Sequence, residues 1–404
     1  MEEKPKRRFV GRKTVRGADG SVVPVVKRHV GRAVNQIPQD ILDDKELAEA
    51  IKLLPSNYNF EIHKCVWNIR KQSAKRVALQ MPEGLLIYSL VISDILEQFC
   101  DVETVVMGDV SYGACCIDDY TARALDCDFI IHYAHSCLVP IDVTAIKVLY
   151  VFVTINIEEQ HLINTIQKNF ASGSRIACFG TIQFNPTIHS IRAKLEAAAQ
   201  PIYIIPPQTM PLSKGEVLGC TSAKLDHEHI DAMVYIGDGR FHLESAMIHN
   251  PDIVAFRYDP YSRKFTREKY DQEQMVQVRQ DAIAHARGSR KIGLILGALG
   301  RQGNPQTLDR LEKGLAKIGV ETVKIILSEI FPAKLAMFDD IDAFVQVACP
   351  RLSIDWGYAF EKPLLTPYEA MVMIGADSWQ DGYYPMDYYR KDGYGRGSVP
   401  LRDT

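Results

Sequence analysis

Short, unbroken apolar runs recur along the chain from residue 77 onward, separated by longer amphipathic stretches, and this alternation constrains the fold more than any other feature. The runs cover 77–81, 105–108, 129–133, 148–153, 176–180, 202–205, 233–237, 253–257, 292–296, 323–327, 343–347 and 371–375. They are continuous rather than alternating, as strands buried on both faces must be. Stretches 41–54, 85–99, 119–125, 186–199, 272–286 and 307–318 carry apolar residues at helical spacing, and Asn185 before Pro186 suits a helix start. Strands separated by helices imply parallel sheets covered by helices, an α/β fold. Twelve strands in 404 residues are too many for one tidy sheet with such short connections. Three smaller, mainly parallel sheets of about four strands each are therefore expected, flanked by helices. The expected division is a basic flexible tail (1–38), α/β domains at 39–155, 156–272 and 273–380, and a C-terminal extension (381–404). The aromatic run Tyr383-Tyr-Pro-Met-Asp-Tyr-Tyr389 in that extension is too hydrophobic for a free tail and is expected to pack on a domain or a partner.

The formal net charge is −3, which excludes a polycation built to coat nucleic acid, and no direct nucleic-acid binding is expected. Residues 1–32 hold ten Lys/Arg and three Asp/Glu, leaving 37 against 47, or −10, for the rest. Glu2, Glu3 and Asp19 argue against a transit peptide. No stretch approaches the ~18 uncharged apolar residues of a membrane span, and no apolar signal core follows the basic start. A cytoplasmic protein is expected.

The nine cysteines show neither C-x-x-C spacing nor a C-x3-C-x2-C run. An odd number without a secretion signal does not read as a disulfide framework. Any metal held by these thiols must draw its ligands from distant segments. Three cysteines follow a small residue beyond a predicted strand: Ala114-Cys115, Gly219-Cys220 and Ala348-Cys349, spaced by 105 and 129 residues. Ligands gather beyond the carboxyl ends of parallel strands, and a small residue lets a bulky group approach the backbone. Spacing alone leaves two readings open, a shared metal site or three buried small hydrophobes.

The segments Gly108-Asp-Val-Ser-Tyr-Gly-Ala-Cys-Cys-Ile-Asp-Asp119, His132-Tyr-Ala-His-Ser-Cys-Leu-Val-Pro140 and Gly297-Ala-Leu-Gly-Arg-Gln-Gly-Asn-Pro305 closely resemble the diphthamide synthesis enzymes. The resemblance runs from about residue 40 to about residue 389. It implies three similar small α/β domains arranged around a central cleft, each donating one cysteine to a [4Fe-4S] cluster there, and those cysteines match Cys115, Cys220 and Cys349. It implies S-adenosylmethionine as co-substrate, cleaved to a 3-amino-3-carboxypropyl radical that adds to C2 of a histidine in translation elongation factor 2. It further implies a heterodimer with a paralogous second subunit, and a small iron-binding protein as electron donor. The family's partner subunit departs from the three-cysteine pattern, and this chain keeps all three. The resemblance thus marks it as the catalytic member, with a non-catalytic scaffold as the alternative. A zinc or nucleotide-binding α/β enzyme without redox function is a third reading.

Gly297 to Pro305 reads as a glycine-backed strand-to-helix turn, able to cradle a carboxylate. Arg301 could fork that carboxylate, with Gln302 and Asn304 orienting it, and Asp238 in the Gly-Asp-Gly turn as a further contact. The plainer reading is that such turns simply close this way. Cys116 competes with its neighbour Cys115 as a ligand. Cys65, Cys100, Cys127 and Cys178 read as core, and Cys137 reads first as structural, with a place beside the site as the alternative. His132 and His135 are alternative ligands, and Asp118 and Asp119 read as helix caps.

Overall fold

A computed structural model describes residues 14–16, 22–24, 36–109, 113–196 and 201–396. The apolar runs fall into three groups, and each group builds its own sheet. The first sheet contains β1 (Arg76–Gln80), β2 (Glu103–Val106), β3 (Phe129–Tyr133) and β4 (Lys147–Val151), in the order β2-β1-β3-β4. The second contains β5 (Arg175–Gly180), β6 (Ile202–Ile204), β7 (Ala232–Ile236), β8 (Val254–Asp259) and β9 (Lys264–Glu268), in the order β6-β5-β7-β8-β9. The third contains β10 (Lys291–Gly297), β11 (Glu321–Leu327), β12 (Ala343–Val347) and β13 (Leu364–Leu365), in the order β11-β10-β12-β13. Neighbours within these sheets run parallel, except that β8 and β9 are antiparallel.

One topology is thus used three times. In each sheet the chain leaves the first strand to one side and returns on its other side, so a crevice opens beyond the carboxyl ends of the first and third strands. Registered pairs at that junction are fully buried in all three: Leu79 with Ile131, Cys178 with Val234, and Leu294 with Val345. Helices cover both faces, which is why the strands read as continuous apolar runs. Helix Gln272–Ala286 starts where the Asp271 side chain accepts from Gln274 N. Asn185 does not cap. It is the first residue of helix Asn185–Glu196, and its Nδ2 donates to Lys214 O.

Two expectations about elements are corrected. Residues 371–375 are not a strand, because helix Pro367–Met373 runs through them. Thr366 and Glu369 form a reciprocal capping box with Pro367 in the first turn, so the backbone is committed to a helix before the apolar residues begin. The two-residue β13 takes the fourth place instead. Stretch 85–99 begins as a 3-10 turn, Glu83–Tyr88, before helix Ser89–Cys100. In the expected tail, Thr14–Arg16 pairs antiparallel with Val22–Pro24, and residues 36–38 lead into helix Gln39–Leu42; the remainder of that tail lies outside the described residues. The C-terminal aromatics are not free: Tyr384, Met386, Tyr388 and Tyr389 are buried. Among the described residues no helix is long and apolar enough to cross a membrane.

Candidate functional site

The three cysteines that follow small residues sit on three loops that meet. Cys115 lies in a tight turn in which Cys116 N donates to Gly113 O (3.0 Å). This turn docks on the glycine-rich loop of the third sheet, where Arg301 N donates to Cys115 O (3.1 Å). Gly300 makes the approach feasible. Its φ is +56°, and a Cβ there would stand 2.6 Å from the Cys116 carbonyl carbon.

Cys220 lies in a turn closed by Leu218 N to Thr221 O (2.9 Å) and Thr221 N to Leu218 O (3.3 Å). Gly219 admits the Phe241 ring, and the Arg351 guanidinium holds both loops by donating to Gly219 O (3.2 Å) and Phe241 O (2.6 Å). Glu244 and Asp355 neutralise that buried arginine. Cys349 is the N-cap residue of helix Pro350–Trp356, and its carbonyl accepts from Gln346 Nε2 (2.8 Å). Cys115 and Cys220 follow the second strand of their sheets, whereas Cys349 directly follows the third strand of its own. The repeat is therefore one of position around the cleft, not of place along the sheet.

The sulfurs act on one another. Burial, then Cys349 and Cys115, push the Cys220 thiol well above the ordinary range. Burial and Cys115 push Cys349 up to about 11. The contact with Cys116, then burial, raises Cys115. Cys116 Sγ lies 3.8 Å from Cys115 Sγ. Of these two it is Cys115 whose charge reaches both Cys220 and Cys349. Three crowded thiols that resist ionisation suit a soft cation, which takes thiolates and expels their protons. Iron–sulfur and zinc both fit that donor set. The Tyr388 hydroxyl beside them is buried without a hydrogen-bond partner, as it would be if it faced a bound group.

The remaining expected site residues divide. Gln302 belongs to the centre, with Nε2 3.9 Å from Cys115 Sγ. Gly297 lies beside Ala348, where a Cβ would come within 2.6 Å of the Ala348 Cβ. Asn304 caps helix Pro305–Lys317 through Thr307 N (3.1 Å) and donates to Gly395 O (3.2 Å). Arg301 has a filled fork: its Nε and NH2 donate to the Asp119 carboxylate (2.8 and 2.6 Å), its NH1 donates to Tyr120 OH (2.8 Å), and it stacks on the Tyr120 ring. In this arrangement Arg301 latches the first sheet's loop to the third rather than facing an open pocket. Asp118 caps helix Asp119–Ala124 as expected, but Asp119 is the buried half of the latch.

Asp238 lies apart and exposed, on a cavity of about 350 Å³ between the first and second sheets. His135, Ser136, Glu216 and His242 line the same cavity. His132 is turned away, with Nδ1 2.9 Å from Gln80 Oε1. Cys137 is exposed. Cys65, Cys127 and Cys178 are buried as expected for core, and Cys100 is half-buried. Sequence reasoning missed the Asp119 latch, the Arg351 clamp and Tyr388. Only the Arg following Cys349-Pro carried a local signal.

A family model describing diphthamide synthesis proteins matches residues 81–385, about three quarters of the chain. The chain belongs to the diphthamide synthesis family. Within that family it is 74% identical to 2-(3-amino-3-carboxypropyl)histidine synthase subunit 1 of Candida albicans, over 98% of this chain and 95% of that protein. It is 69% identical to the Saccharomyces cerevisiae protein of the same name, over 99% and 97%. Crystal structures of Dph2 from Pyrococcus horikoshii, one of them with a 4Fe-4S cluster, align at a TM-score of 0.65. They share 26% identity with this diphthamide-family chain and cover 81% of it and 97% of the archaeal chain.

Proposed function

We propose that this chain is the catalytic subunit that transfers the 3-amino-3-carboxypropyl group of S-adenosylmethionine to C2 of a histidine in translation elongation factor 2. Three α/β domains, 39–155, 156–272 and 273–380, would each contribute one ligand. The observation that carries the reading is the docking of the Cys115, Cys220 and Cys349 loops from three separate sheets, tied by Arg301 N to Cys115 O and by Arg351, two residues after Cys349, to Gly219 O beside Cys220. The cluster bound by the archaeal Dph2 supports iron–sulfur over zinc. A [4Fe-4S] cluster on three thiolates leaves one iron open to the co-substrate and supplies the electron that cleaves its carbon–sulfur bond.

The chain's own residues do the rest. Cys115, Cys220 and Cys349 would hold the cluster. The Asp119–Arg301 latch and the Arg351 clamp keep their loops together. Gln302 and the backbone around Gly297 face the same centre and would orient the co-substrate. The buried aromatic wall of Tyr388 and Tyr389 keeps water from the reacting fragment. The name shared by the relatives, subunit 1, supports a heterodimer with a paralogous second subunit. A small iron-binding electron donor and a cytoplasmic location complete the reading.

Anaerobic reconstitution tests it. The wild-type chain is expected to take up about four irons, and Cys115→Ala, Cys220→Ala and Cys349→Ala are each expected to lose the brown chromophore. Incubation with S-adenosylmethionine and a reductant is expected to give methylthioadenosine. Recovery of 5′-deoxyadenosine would overturn the bond assignment, and a chain that binds no iron would favour a scaffold.

A further inference from the structure

The wall around the three thiols is completed by a segment that the family model does not reach. That match ends at residue 385, yet Met386, Tyr388 and Tyr389 are 1%, 6% and 6% exposed and belong to the core that Cys115 and Cys220 pack against. On one side the segment is zipped to the Cys220 turn. Ser222 N donates to Met386 O (2.7 Å), Tyr388 N to Cys220 O (3.1 Å) and Tyr389 N to Thr221 Oγ1 (3.0 Å). On the other side it is tied to the glycine-rich loop of the third sheet. Tyr389 O–H donates to Gln302 O (3.2 Å), and Asn304 Nδ2 donates to Gly395 O (3.2 Å). The strap thus joins the loop of one thiol to the loop that touches another.

Tyr388 sits at its centre. Its ring meets Tyr389 at right angles (5.0 Å between centroids), and Gly395 leaves room for it, since a Cβ there would come within 2.7 Å of the ring. Its backbone is fixed to Cys220, so the side chain has little freedom to turn away. The hydroxyl is buried and, among the described residues, has no hydrogen-bond partner, an arrangement that folded chains avoid because an unpaired buried donor loses its hydration without recompense. Tyr388 and Cys220 line the same small cavity.

We propose that Tyr388 is a positioning residue of the sulfur centre: its hydroxyl donates a hydrogen bond to a sulfur of the group held by Cys115, Cys220 and Cys349, while the strap from 383 to 396 shields that centre. The proposal rests on the iron–sulfur reading above. A donor at a cluster sulfur withdraws negative charge and favours the reduced state, so the phenol sets how readily the centre is reduced. The ring, independently of its hydroxyl, covers the Cys220 turn.

Two variants of the full chain separate these roles. In the metal-free protein, Tyr388→Ala is expected to speed alkylation of Cys220 about tenfold, because reactivity follows exposure, while Tyr388→Phe leaves it unchanged. After reconstitution, Tyr388→Phe is expected to keep the wild-type iron content and unfolding midpoint, with a more negative reduction potential and a changed electron paramagnetic resonance spectrum. Wild-type potential and spectrum in Tyr388→Phe would overturn the hydrogen bond. Unchanged alkylation in Tyr388→Ala would overturn the shield. A wild-type chain that binds no iron would refute the cluster reading and the hydrogen bond with it, leaving the alkylation result to decide the shield alone.

Discussion

The latch between Asp119 and Arg301 gives the sharpest quantitative test. Asp119 has no solvent exposure, and its carboxylate takes two guanidinium N–H groups and the Ala145 N–H. Breaking a buried, forked pair leaves an uncompensated charge and costs about 3–5 kcal/mol. The Arg301 side chain keeps 21% of its surface in water, so we expect the lower end, about 3 kcal/mol, for Arg301→Met. With a urea slope of about 2–3 kcal/mol/M, the unfolding midpoint should fall by roughly 1–1.5 M.

Tryptophan fluorescence reads this directly, since Trp67 packs in the first sheet's core and Trp379 in the third's. A double-mutant cycle with Asp119→Asn should return a coupling of about 2 kcal/mol. The pH dependence has a fixed sign. Burial pushes the Asp119 carboxyl up, but Arg301 and the Ala145 N–H outweigh it and hold it below its usual value. A lowered folded value contributes stability above the unfolded carboxyl range, near 4, that is lost as pH falls through the folded value. Asp119→Asn should erase that acid limb. Additive single-mutant effects, with a coupling under about 0.5 kcal/mol, would refute the latch and return Arg301 to a role at an open site.

Other perturbations test other parts of the structure. Arg279 and Glu369, both fully buried, pair at 2.7 and 2.6 Å, and Arg279→Met should cost about 4 kcal/mol, read as a lower urea midpoint. Glu216, which accepts from Ser136 and from Ser213 N, is pushed by burial from 4.5 up to about 7. A raised carboxyl stabilises below its unfolded value and loses that contribution as pH rises through the folded one. Thermal stability in the wild type should therefore decline towards neutral pH through this group, and Glu216→Gln should flatten the decline. Gly300→Ala forces a side chain into a left-handed residue and against the Cys116 backbone. We expect a loss of about 1–3 kcal/mol together with faster alkylation of Cys115.

Legibility followed burial. Residues 129–133 and 343–347 are strands with the predicted boundaries, because every residue in them is buried and, apart from His132 and Gln346, they form continuous apolar runs. Met371 to Ile374 are equally apolar, but what decides their conformation is Thr366-Pro367 upstream, which an apolar count does not see. The edge strand Lys264–Glu268 escaped notice for the opposite reason, since it is polar and only partly covered. The thiol set came from the family resemblance rather than from spacing, because Cys349 follows a third strand and the other two follow second strands. Arg301 reads from the sequence as a fork for a ligand's carboxylate, but its fork is filled by Asp119, 182 residues away and beyond any local pattern. Tyr388 carried no signal beyond its hydrophobic surroundings.

One topology used three times, with one thiol contributed by each copy, has a consequence for biogenesis. Cys115, Cys220 and Cys349 follow strands of three different sheets, so no single sheet brings them together. Their loops can meet only after all three sheets have formed and docked. Under the proposed reading, uptake of the cluster would report on the docking of all three sheets, not on the folding of any one of them.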